Sequence, residues 1–273
     1  MVKKLYKHEF RSHLRILWVV WAALLAISAG ARIVQFFEAD SIPYKIISTT
    51  SFVTYGVAIL AAFAFTSVLG IIRFYKNLFT SEGYLSFTLP VTTSQHIWVK
   101  AVSVVCMEVL TFLVVLLSGC VLTSGEMLVE LWKAMVYLVD LFCKVLGIHG
   151  PILIAEYVIL LVVTLFASVL LHYTFISIGQ LFRKNRILAT VGVYFVYYIL
   201  SQMLSTAFYV FFSLFSLTPA FEKFFLWYDY LFTTHPYATL HSILWIAIVV
   251  QAITVLVEFW VVKLIITKKL NLE

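Results

Sequence analysis

Three ionisable residues, Glu108, His172 and Glu258, stand inside long apolar runs of this 273-residue chain. A charge near a bilayer centre costs about 2.5–3.5 kcal/mol on an insertion scale, so such groups normally face a bundle interior or water. Two carboxylates and an imidazole have the chemistry of a proton or ion relay, or of a structural hydrogen-bond set. Each lies about seven to ten residues from the basic end of its run, roughly 10–15 Å deep at 1.5 Å per residue. We expect an intramembrane polar layer in which His172 pairs with Glu258 or Glu108, lining or gating a path. Glu156 lies near the opposite end of its run, within reach of Arg32 on the first run, and no functional role is expected of that pair. Tyr194, Tyr197, Tyr198, Ser201, Gln202 and Ser205 make the fifth run polar and aromatic. Interhelical packing with hydroxyl hydrogen bonds accounts for them more simply than a substrate-facing wall does.

Other chemistry is missing. None of the ten glycines precedes a lysine, so there is no Walker A phosphate loop. The seven histidines show no HExxH spacing, no Cys/His set has zinc spacing, and there is no GxSxG elbow. We expect no catalytic, cofactor-binding or metal-binding residue here; ATP, if used, binds another chain. Cys106, Cys120 and Cys143 have no CxxC spacing, and the apolar setting of the first two suggests buried structural thiols.

The elements that must position these groups are membrane helices. The chain is 63% apolar and 12% charged, with mean hydropathy +1.03, against about 25% charged in soluble domains. Lipid must therefore be the solvent for most of it. No linker or repeat divides the chain, so one transmembrane domain over residues 1–273 is expected. Six runs are long enough to cross: Ile16–Val34, Ile46–Ile72, Ala101–Thr123, Ile152–Phe182, Ile187–Leu217 and Ile243–Thr267. An all-α fold with both termini cytoplasmic puts 14 of the 19 Lys and Arg inside, RKNR (Arg183–Arg186) among them. Ala29-Gly30-Ala31 resembles a signal-peptide cleavage site, but the basic region is long and the apolar run continues past it, so no cleavage is expected.

Ahead of the first run, Tyr6, Phe10, Leu14 and Leu17 share one helical face and Lys4, Lys7, Arg11 and Arg15 the other. That pattern suits an interfacial helix over residues 1–15, apolar side in lipid. Small residues recur every four positions at Ala22, Ala26 and Gly30, and again at Ala58, Ala62, Thr66 and Gly70, a spacing that lets helices approach closely. Residues 125–150 carry an amphipathic stripe, Leu128, Leu131, Trp132, Met135, Val139 and Phe142, for the outer membrane surface or for docking on the bundle. Residues 218–242 form a second, aromatic outer segment, broken by Pro236.

The longest polar interruption is Arg73 to Lys100, RFYKNLFTSEGYLSFTLPVTTSQHIWVK. Pro90 biases Leu89 away from helix, and Thr92 with Gln95 forms a T-x-x-Q capping box that starts a new helix. The run Gly83, Tyr84, Leu85, Phe87, Thr88, Leu89, Pro90 and Val91, followed by Lys100, resembles a "GYL-x-F-TLPV" stretch of ABC-2-type transporter permease subunits of Gram-positive bacteria. The close match covers about a tenth of the chain; six spans and inside termini extend it loosely. The resemblance implies a multi-pass subunit of the bacterial plasma membrane, exporting peptides or other amphiphiles with a second permease subunit. ATP and Mg would be held by a separate ATP-binding subunit. Glu82, Gly83, Tyr84, Leu85, Phe87, Leu89, Pro90, Thr92 and Gln95 would receive its motion. The 125–150 insertion departs from many relatives, and the short RKNR connection argues against exporters with long intracellular helices. Two other classes stand beside this one: an ion- or proton-coupled carrier using Glu108, His172 and Glu258, and a non-transporting sensor or immunity subunit. No nucleic-acid partner is expected, because the basic residues sit in short clusters beside apolar runs.

Overall fold

The computed structural model describes residues 2–37, 41–80, 82–88, 90–182 and 184–268, with the side chains of Leu85 and Phe87 left out. Among them every regular element is a helix: α1 (Val2–Phe36), α2 (Ile42–Phe79), α3 (Glu82–Thr88), α4 (Thr93–Leu122), α5 (Glu126–Leu146), α6 (His149–Gly179), α7 (Arg186–Phe215), α8 (Pro219–Thr234) and α9 (Pro236–Lys268). In lipid a helix satisfies its backbone groups within one segment, which is why runs rich in Val and Ile fold this way here. Hydroxyls follow the same rule: Thr50, Ser51 and Thr54, exposed on α2, each donate to a carbonyl one turn back at 2.8 Å. Six helices are long and apolar enough to cross a membrane: α1, α2, α4, α6, α7 and α9. The chain is a multi-pass membrane protein.

Local signals set the helix ends. The Thr92–Gln95 capping box is formed in both directions, at 3.0 and 3.3 Å, and α4 starts behind it. Pro219 and Pro236 stand at the first positions of α8 and α9, where proline lacks a donor the helix would not use. The last membrane helix therefore begins seven residues before the apolar run starting at Ile243. Asn185 takes a left-handed conformation, φ 56°, in the turn before α7, a geometry asparagine tolerates. Cys106, Cys120 and Cys143 are free and half-buried, more exposed than expected of core thiols.

The chain falls into two compact units, the first ending at Asp140 and the second beginning at Leu141 within α5. In the first, α1, α2 and α4 pack mutually and α3 lies on α2. Leu17, Leu69 and Met107 form one core, flanked by Phe10 and Leu14. Phe10 and Leu14, on the apolar side of the first 15 residues, thus pack against this core, and α1 runs unbroken from Val2 to Phe36. Of the two small-residue stripes, that on α2 is the packed one. Ala62 and Thr66 are buried, and Thr66 hydrogen-bonds Thr111 of α4 at 2.9 Å. A Cβ at Gly70 would stand 2.7 Å from Val104. Ala22, Ala26 and Gly30 are exposed, because α1 buries Leu24, Ser28 and Ala31 instead.

In the second unit α6 is central, packing most extensively on α9 and also on α7, while α8 lies on α9. Helices α7 and α8 bury no residue, and neither does α5, which both units share and whose amphipathic stripe is exposed. α7 approaches α6 closely at Gly179, where a Cβ would stand 2.8 Å from the Thr190 backbone. Gly179→Ala should therefore push α7 away and destabilise the protein by about 1–3 kcal/mol, as overpacking does. Thermal unfolding in detergent measures this; an unchanged midpoint would show that the approach is not tight.

Candidate functional site

The segment from Arg73 to Lys100 is held at both ends by one carboxylate. Glu9 of α1 is 3% exposed. Its Oε1 accepts from Lys100 Nζ of α4 at 2.5 Å and from Asn77 Nδ2 of α2 at 3.0 Å; its Oε2 accepts from Arg73 of α2 at 3.2 Å. Arg73 also donates to Ser12. One turn further along α1, the His13 ring lies 3.2 Å from Ser103 Oγ of α4. Burial alone would raise the Glu9 carboxyl, but Lys100 and then Arg73 hold it down at about 2. Glu9 precedes the apolar run that begins at Ile16, so the cluster sits at the end of the three-helix packing, beside α3.

Between these anchors the chain leaves α2 at Phe79, forms α3, and re-enters α4 through the capping box. Phe74, Leu78 and Gly83 are buried, whereas Glu82, Tyr84, Thr88, Pro90, Thr92 and Gln95 are exposed. The result is a polar outer face on a fixed base. The side chains of Leu85 and Phe87, and all of Leu89, lie outside the described residues.

No family model matches this chain, and no curated protein or solved structure matches it either. Its chemistry is therefore read from its own geometry.

The intramembrane groups are divided between the two units. Glu108, in the first unit, accepts from Ser67 Oγ of α2 at 3.2 Å. In the second unit His172 turns to the Ser168 carbonyl of its own helix and packs on the Tyr194 ring, centroids 5.8 Å apart. His172 and Glu258, both in this unit, do not hydrogen-bond. Glu258 Oε2 is buried without a hydrogen-bond partner among the described residues. Glu156, by contrast, is fully engaged, accepting from His241 Nδ1 at 2.8 Å and Trp245 Nε1 at 2.9 Å, both of α9. His241 meets His149 at 3.0 Å, and His149 stacks on Tyr237 at 4.4 Å. In the first unit Arg32 donates to Gln35 of α1 at 3.5 Å. No group of three or more His, Cys, Asp or Glu suited to a metal ion is found among the described residues.

The clusters around Glu9 and Glu156 are what reading the sequence missed. A signal existed for the first. Glu9 is the only acid before Glu38, and with His13 it shares the helical face of Leu17 rather than the lysine face. No comparable pattern marks His241 and Trp245.

Removing one partner of a buried ion pair is costlier than removing the pair, because a charge is left unanswered. Glu9→Gln should destabilise the first unit by about 3–5 kcal/mol. Adding Lys100→Met should restore part of that loss. Thermal unfolding of both variants in detergent checks this, and additive losses would deny the coupling.

Proposed function

We propose that this chain is the membrane subunit of an ABC-2-type exporter, driven by a separate ATP-binding subunit that engages the face made by α3 and the start of α4. The observation that carries the proposal is the clamp on that segment: Arg73 and Lys100, which bracket it, converge on Glu9. A coupling element must be exposed enough to be touched and stiff enough to pass a displacement onward. Glu82, Tyr84, Pro90, Thr92 and Gln95 supply the exposed face, and the Glu9 cluster ties its base to α1, α2 and α4. A push on α3 would then move three helices together, the kind of rigid-body shift alternating access requires.

On this proposal the termini and the Arg73–Lys100 segment are cytoplasmic, in keeping with the excess of Lys and Arg on that side. ATP and Mg reside on the partner, and a second permease subunit completes the path. The lack of a hydrogen bond between His172 and Glu258 lends nothing to a continuous proton relay.

The test is affinity purification of the full chain from its native membrane. A stoichiometric ATP-binding subunit should co-purify, and Glu82→Arg with Tyr84→Ala should reduce its recovery on the order of tenfold, with the chain still folded. Transport by the chain alone in liposomes, or full recovery with the double variant, would reject the proposal.

A further inference from the structure

Within the second unit α6, α7 and α9 border a cavity of about 920 Å³. Its walls are mostly apolar, with Leu171, Phe175, Leu188, Val193 and Tyr197 prominent, and Glu258 of α9 opens onto it. Glu258 is 8% exposed, and its Oε2 accepts no hydrogen bond from a described residue. No described side chain answers that oxygen: His172 turns its Nδ1 to Ser168, and Lys184 in the turn before α7 lines the cavity without a hydrogen bond to it. The contrast within the same helix pair is sharp, since Glu156 has a donor on each oxygen.

A buried carboxylate in an apolar wall is costly unless a cation or a donor meets it. Two aromatic rings lie in the same wall. Phe175 is buried and packs against Tyr197 with centroids 4.9 Å apart, which holds the half-exposed Tyr197 ring in the cavity wall, where it can meet a cation. A lipid tail would fill the volume but leave the carboxylate unanswered, and an anion would be repelled by it. A ligand with a positive charge on an apolar body satisfies every feature of the cavity.

We propose that this cavity binds apolar organic cations, with Glu258 as counter-ion and Tyr197 as the aromatic contact. The site stands on the second unit alone and does not depend on an ATP-binding partner, so its test and the co-purification above can fail separately.

The test is equilibrium binding of radiolabelled tetraphenylphosphonium to the purified full chain in nanodiscs, compared with tetraphenylborate, an anion of the same shape. The cation should bind saturably, and the anion on the order of tenfold more weakly or less. Glu258→Gln should abolish that preference. Gly192→Phe should weaken cation binding while leaving α6 and α9 unaltered, because a Cβ at Gly192 meets nothing within 4 Å and the residue lines the cavity. Three results would overturn the proposal: no saturable cation binding, equal affinity for cation and anion (the mark of a slot filled by lipid), or a Glu258→Gln protein that keeps the preference. Should Glu258→Gln fail to fold, cation affinity unaffected by Gly192→Phe would overturn it as well.

Discussion

The first unit depends on a single buried carboxylate. Glu9 holds Arg73 and Lys100 from two other helices, and Asn77 completes its shell. Buried ion pairs contribute little net stability, because desolvation offsets most of their attraction. What they impose is position. With 3% exposure on both Glu9 and Lys100, no water is at hand to replace either partner, so α1, α2 and α4 must keep one register at this level. Deeper in the same packing the ties are weaker and neutral: Trp21 to Thr111, Thr66 to Thr111 and Tyr55 to Ser118. Such bonds between membrane helices average about 0.6 kcal/mol each. Apolar packing around Leu17 and Ala62 joins the helices; the Glu9 cluster fixes where along their length they meet.

The second unit treats its two acids differently. Glu156 has a donor on each oxygen, drawn from residues one turn apart on α9, and it joins α6 to α9 near the His149 end. Glu258 lies in the same helix pair with an oxygen left unpaired, on the wall of a cavity. The first arrangement is complete in itself. The second calls for something that is not protein, and that difference separates a structural acid from a recognition site.

Much of the surface is apolar helix with no cover inside the chain. α5, α7 and α8 bury nothing, and Trp132, Phe208, Tyr209 and Trp227 are all more than half exposed. In water such faces would drive aggregation. In a bilayer hydrocarbon tails solvate them, so the amphipathic stripe of α5 can remain open while α6 and α9 pack closely.

What the sequence determined by itself is what short-range physics controls. Hydropathy over about 20 residues marks a membrane helix, and all six runs became helices long and apolar enough to cross. Thr92 and Gln95 mark a helix start through hydrogen bonds within one turn, and α4 starts behind them. Small residues on α2 faced a partner, but the same spacing on α1 faced outward, because spacing states only that a close approach is allowed. The polar pairings were decided by tertiary structure. Glu9 meets partners 64 and 91 residues away, and Glu156 meets His241 85 residues away. A residue's type shows that a buried charge needs an answer; which distant helix supplies it, or whether none does, depends on helix rotation and register that no local pattern encodes.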